Sequence, residues 1–120
     1  MADAIVHVVD DELEICRSTA LILRLSGFTC TTWGSGEAFL EGADIRASAC
    51  AIVDLRMPGM DGIATLKALR ERGSRLPVIV VSGHGDIAAA HVAIQAGAAE
   101  FIEKPYDGAR LVARVKELLD

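Results

Sequence analysis

Short apolar runs, each followed by a stretch of helical spacing, recur five times along this chain. The clearest runs are Ile5-Val-His-Val-Val9, Ala49-Cys-Ala-Ile-Val53, Val78-Ile-Val-Val81 and Ala98-Ala-Glu-Phe-Ile102. Runs this short between helical segments read as parallel strands buried on both faces. Strand–helix units joined by right-handed crossovers build a doubly wound α/β sandwich, which narrows the fold to a few topologies.

The pattern predicts strands at Ile5–Val9, Phe28–Thr32, Ala49–Val53, Val78–Val81 and Ala99–Ile102. Pro77 sits where a strand start tolerates proline. The first helix is expected to be capped by Asp11 or a neighbour and to run to about Leu25, with Leu13, Cys16, Ala20 and Leu23 inward and Gly27 as its end. Ser35 reads as the N-cap of a helix holding Ala38, Phe39 and Leu40. Asp61 caps a third helix through Arg72, with Ile63, Leu66, Ala68 and Leu69 inward and Gly73 as stop. A helix from Ile87 to about Ala96 ends at Gly97, and the last runs from Gly108 to Leu119 with Leu111, Val115 and Leu118 on one stripe.

At 120 residues the chain is one domain spanning 1–120. Its hydrophobic content of 52% with only 4% aromatic residues suits a sheet covered by helices. A net charge of −5 argues against direct nucleic-acid binding, which needs a basic surface. No apolar run is long enough to cross a bilayer, and Met1-Ala-Asp-Ala leads into the first strand without the basic region of a signal peptide. Cys16, Cys30 and Cys50 are odd in number and lack paired zinc spacing. They read as reduced thiols of a cytoplasmic protein, with Cys50 buried in its strand.

The strand ends carry the chemistry. Asp10 and Asp11 end the first run, Asp54 ends the third, and Lys104 follows the last. In a parallel sheet all strand ends of one polarity share an edge, and ligands bind there. Three carboxylates and one ammonium are thus gathered at one small site. Two like charges ~4 Å apart cost roughly 4 kcal/mol at an effective dielectric of 20. Such a cluster needs a cation, and an all-oxygen set of carboxylates, a carbonyl and water suits Mg²⁺.

The ordered set Val9-Asp10-Asp11, Asp54-Leu-Arg-Met-Pro-Gly-Met-Asp-Gly62, Ser82-Gly83 and Lys104-Pro105 resembles the receiver domain of two-component response regulators. The likeness spans essentially the whole chain. Ser82-Gly-His-Gly-Asp86 and Phe101-Ile-Glu-Lys-Pro105 look most like FixJ-like and NtrC-like transcription regulators. The resemblance implies a flavodoxin-like sheet of strand order 2-1-3-4-5 and a phosphoacceptor role for Asp54, supplied by a sensor histidine kinase. It further implies Mg²⁺ (or Mn²⁺) on Asp10, Asp11, Asp54 and the backbone carbonyl of Arg56. Phosphoryl contacts would come from Ser82, Gly83 and Lys104, with Ser82 and Phe101 as switch residues and a cis bond before Pro105. Arg56 and His84 fall where side chains border the mouth of such a site and would modulate the lifetime of the acyl phosphate.

The segment from Ile87 to Ala99 holds no Asp, Glu, Lys or Arg. A surface helix normally carries charge outside, so Ile87, Val92 and Ile94 form a candidate interface for a phosphorylation-dependent homodimer through 87–102, although two of the three suit a core as well. His7 reads as a satisfied strand histidine, His84 and His91 as surface residues, Trp33 as cover for a loop edge, and Met57 and Met60 as packing or partner surface.

The output is expected outside this chain, in a DNA-binding domain; the alternative is a stand-alone regulator acting by protein contact. A haloacid-dehalogenase-like aspartyl phosphatase would need an Asp-x-Asp motif at the first strand and a cap, and neither is present. A flavodoxin would need a phosphate-cradling loop after that strand.

Overall fold

The computed structural model describes residues 5–44, 48–83 and 86–119. Five parallel strands, β1 (Ile5–Val9), β2 (Thr29–Trp33), β3 (Ser48–Asp54), β4 (Val78–Ser82) and β5 (Glu100–Glu103), form one sheet in the order β2-β1-β3-β4-β5. The helices are α1 (Leu13–Leu25), α2 (Gly36–Gly42), α3 (Gly62–Glu71), α4 (Ile87–Gln95) and α5 (Gly108–Leu119). The doubly wound topology expected from the sequence is the one found.

Strand alternation divides the core in two. Val6, Val8, Cys50, Ile52, Ile79, Val81 and Ile102 face α1 and α5, meeting Ala20, Leu23, Leu111 and Val115. Val9, Ala51, Val53, Val78 and Val80 face the other side, where Phe39, Leu66, Leu69 and Ala93 come from α2, α3 and α4. Each fully buried Val, Leu, Ile or Phe among them contributes about 1.5–3 kcal/mol of transfer free energy.

Local signals set the helix ends. Ser35 accepts the Ala38 amide at 3.0 Å and Asp61 accepts that of Ala64 at 2.8 Å, so both caps form as predicted. Gly27, Gly73 and Gly97, at φ of +96°, +83° and +105°, close α1, α3 and α4 in the left-handed conformation that glycine adopts without strain. The same closure explains why β2 starts one residue later than expected. The Phe28 amide is taken by the carbonyl of Leu23 at 3.1 Å, leaving Thr29 as the first residue free to pair.

The structure refines three other expectations. Of the candidates Asp11 or a neighbour, Glu12 holds the N-cap position of α1, though without a side-chain cap; the Asp10 carboxylate accepts its amide at 2.9 Å. Leu13, expected inward, is 60% exposed in the first turn of α1. Trp33 covers Gly42 at the end of α2 and does more: its indole donates to His7 Nδ1 at 3.0 Å and its ring packs against Phe39. That bond satisfies His7, which is buried and whose pKa burial lowers, keeping it neutral. Ile63 and Ala68 are half-buried, while Leu66 and Leu69 are fully inside.

Cys16, Cys30 and Cys50 are all buried free thiols. Among the described residues no helix is long and apolar enough to cross a membrane.

Candidate functional site

Alternation along the strands also sorts the functional residues. Asp10 and Asp54 continue the positions of Val8 and Ile52, and Lys104 that of Ile102, so all three belong to the face covered by α1 and α5. Ser82 and Phe101 have the opposite parity and turn toward α4.

Backbone bonds carry the sheet just past its strands and fix the starting points of these side chains. The Asp10 amide donates to the Trp33 carbonyl at 3.0 Å, Leu55 to Val81 at 2.8 Å, and Lys104 to Ser82 at 2.6 Å. The loop after Asp54 returns to the site where the Gly62 amide donates to the Leu55 carbonyl at 2.9 Å. A Cβ at Gly62 would lie 2.5 Å from the Asp54 carbonyl oxygen and 2.8 Å from Leu55 Cα. Only glycine lets α3 start this close to the acidic strand end. By contrast, a Cβ at Gly83 would meet no atom within 4 Å, so the structure shows no steric demand for glycine there.

The polar cluster is compact. Lys104 Nζ lies 2.9 Å from Asp54 Oδ1 and 3.2 Å from Asp10 Oδ2. Asp10 and Asp54 are 3% and 4% exposed, whereas Asp11 is open to solvent. One oxygen from each of the three carboxylates falls within 4.8 Å of the others. Burial raises the Asp54 pKa; the Lys104 hydrogen bond opposes that shift and the charge on Asp10 reinforces it. Burial alone would lower Lys104, but Asp54 and then Asp10 outweigh it, and the ammonium titrates above its ordinary value.

Three carboxylates against one ammonium leave two negative charges unbalanced. The donors are all hard oxygens, two of them covered and one facing solvent, and this set fits a divalent cation that retains several waters. Such an ion would remove most of the repulsion that burial enforces.

Ser82 is buried, and its hydroxyl donates to Asp86 Oδ2 at 3.1 Å rather than toward Asp54. Arg56, exposed on the loop after β3, donates from Nη2 to the same Asp86 oxygen at 2.6 Å. Phe101 is half-buried against the α2–α3–α4 core. The Lys104–Pro105 peptide is cis. His84 lies outside the described residues. Ile87, Val92 and Ile94 are 77%, 45% and 50% exposed, so none of the three belongs to the core. Sequence reasoning passed over two residues, Gly62 and Asp86. Gly62 sat inside a motif with no steric role assigned, and Asp86, the residue before an apolar helix, carried only a capping signal.

The response regulator receiver domain model matches residues 6–116. The chain is 42% identical to the transcriptional regulatory protein FixJ of Azorhizobium caulinodans over 114 residues, covering 95% of this chain and 54% of that protein. It is 40% identical to the DNA-binding transcriptional regulator NtrC of Escherichia coli K12 over 119 residues, covering 99% of this chain and 25% of that protein. The chain thus spans about half the length of FixJ and a quarter of NtrC. A crystal structure of FixJ-N superposes with a TM-score of 0.89 at 40% identity, covering 99% of this chain and 94% of that one. The NtrX receiver domain from Brucella abortus gives 0.88 at 35% identity, covering 95% and 97%. With its strand order, its acidic strand ends and this full-length match, the chain belongs to the response regulator receiver domain family.

Proposed function

We propose that Asp54 takes a phosphoryl group from a phosphohistidine of a sensor histidine kinase and that the resulting acyl phosphate switches the region from Ser82 to Pro105. One observation carries the reading: a covered carboxylate at a strand end, with an ammonium 2.9 Å away and two further carboxylates grouped around it. In the transfer, an Asp54 oxygen attacks phosphorus in line, the P–N bond breaks, and the imidazole leaves with its electron pair. The transition state is loose, so it asks for alignment and charge neutralisation more than for a strong nucleophile. Lys104 pairs with the incoming oxygens as it now pairs with Asp54, and the Ser82 hydroxyl and the backbone at Gly83 take up the phosphoryl group.

Asp10, Asp11, Asp54 and the Arg56 carbonyl would hold Mg²⁺ or Mn²⁺, which when bound offsets the charge gathered at phosphorus. The chain is a signalling phosphoacceptor rather than an enzyme turning over a separate substrate. Arg56 borders the site and His84 is proposed to do so, both setting the rate at which water removes the phosphoryl group.

The output follows from α4 and β5. Only Ala93 of α4 is fully buried, with Ala89 partly buried beside it, so small apolar side chains alone anchor the helix. Its exposed Ile87 and Ile94, two turns apart, share an apolar face suited to a second copy of the chain, through 87–102, on phosphorylation, with Val92 exposed on another flank of the helix. The relatives' names support a transcription-regulating output beyond these residues, and the reduced thiols suit the cytoplasm.

Incubation with acetyl phosphate and Mg²⁺ should add one phosphate by intact mass. Asp54→Asn or excess EDTA should abolish it; equal labelling of that variant overturns the reading.

A further inference from the structure

The switch hydroxyl is already engaged. A single oxygen, Asp86 Oδ2, accepts both the Ser82 hydroxyl at 3.1 Å and the Arg56 guanidinium at 2.6 Å. The Asp86 side chain is 17% exposed, while Arg56 is 73% exposed and reaches in from the loop after β3. Arg56 first, and Ser82 after it, hold the Asp86 carboxyl below the usual carboxylate range. A surface ion pair alone would contribute little. Here the carboxylate is mostly covered, sits at the N-cap position of α4, and binds a hydroxyl buried at the end of β4.

We propose that Asp86 is a positioning residue that stands in for the phosphoryl group while Asp54 is unmodified. Its carboxylate holds two donors, the Ser82 hydroxyl and the Arg56 guanidinium, and ties both to the N-cap of α4. A phosphoryl group on Asp54 presents a second set of anionic oxygens and competes for them. When the Ser82 hydroxyl transfers, one hydrogen bond breaks and one forms, and the tether from β4 to the start of α4 is lost. Asp86 therefore sets the threshold of the switch, because a ligand shifts such an equilibrium only by its differential interaction with the two states. The proposal rests on the phosphoacceptor reading of Asp54 and adds a named competitor to it.

The test uses beryllofluoride with Mg²⁺ as the phosphoryl mimic, followed by ¹⁹F NMR of the bound ion. Asp86→Ala and Asp86→Asn should bind it more tightly, by roughly fivefold, the low end of couplings between linked sites. Removing any nearby negative charge would also favour an anion, so the same substitution is made where Ser82→Ala and Arg56→Ala have removed both donors. The gain should vanish in that background. A gain that persists there, or unchanged affinity in both single variants, overturns the role of Asp86. The phosphoacceptor reading fails separately, if the unsubstituted chain binds no beryllofluoride or if Asp54→Asn binds it equally well.

Discussion

Replacing Asp54, the proposed phosphoacceptor, should make the metal-free protein more stable. In Asp54→Asn the carboxylate loses its attraction to Lys104, 2.9 Å away, worth about 6 kcal/mol at an effective dielectric of 20. It also loses repulsion from Asp10 and Asp11, about 3.5 kcal/mol each at separations up to 4.8 Å. These opposing sums nearly cancel, and burial then decides the balance. A group 4% exposed is costly to keep charged, in agreement with burial as the first cause of its raised pKa. Lys104 is not orphaned by the change, since Asp10 remains 3.2 Å away. The expected gain is on the order of 1–2 kcal/mol, within the range seen when a buried ion pair gives way to neutral groups.

Urea melts at pH 7 in excess EDTA read the effect directly. Repeating them across acid pH tests its cause. Below the ordinary aspartate pKa both folded and unfolded chains carry a neutral Asp54, and the two proteins differ little. As pH rises the unfolded chain ionises first and the folded chain later, so the unsubstituted protein loses stability across that window. Asp54→Asn does not share this loss. Mg²⁺ narrows the gap, because a concentration ten times Kd adds about 1.4 kcal/mol to the chain that binds it better. A variant less stable than the unsubstituted chain in EDTA at pH 7, or an undiminished response to Mg²⁺, would refute the reasoning.

Gly62→Ala should destabilise the fold by about 1–3 kcal/mol despite alanine's better helix propensity, because its Cβ meets backbone at 2.5 Å; a melting curve no worse than that of the unsubstituted chain contradicts the close approach. Burial pushes Cys30 up to about 11 and Cys50 up to about 12, so a thiol reagent at pH 8 should label them only in denaturant, and prompt native labelling of either would contradict their burial. Trp33→Phe removes the indole donor to His7 and should cost about 1–2 kcal/mol in chemical denaturation. Charges introduced at Ile87 and Ile94 should block beryllofluoride-driven dimerisation in sedimentation velocity, and a dimer indifferent to both would place the contact elsewhere.

The fold was legible because its signals are local. Apolar runs bounded by Ser35, Asp61 and the glycines at helix ends specify where each element starts and stops, and parallel topology does the rest. The site was legible for a related reason. Asp10, Asp54 and Lys104 each sit at or just past a strand end, and a parallel sheet brings such positions to one edge whatever their separation in sequence. What escaped were contacts fixed by side-chain direction. Trp33 looked like a lone aromatic beside a glycine, and nothing in the chain announces that its indole finds His7, 26 residues earlier. Leu13 followed the helical spacing, yet it is exposed in the first turn of α1. The Arg56–Asp86 pair joins two loops 30 residues apart, and no periodicity links them.

Parity sorts the residues of this small sheet edge between its two faces. Asp10, Asp54 and Lys104 lie on the α1–α5 side, where the core is packed on fully buried Leu23, Leu111 and Val115. That dense packing suits the alignment the proposed phosphoryl transfer needs. Ser82 and Phe101 lie on the other side, next to α4, which meets the core through buried Ala93 and partly buried Ala89. Ser82 touches both: its carbonyl accepts the Lys104 amide at 2.6 Å while its hydroxyl reaches Asp86 at the start of α4. The proposed switch would therefore have a short route from the acidic strand ends to α4, through a hydroxyl whose present partner is a carboxylate.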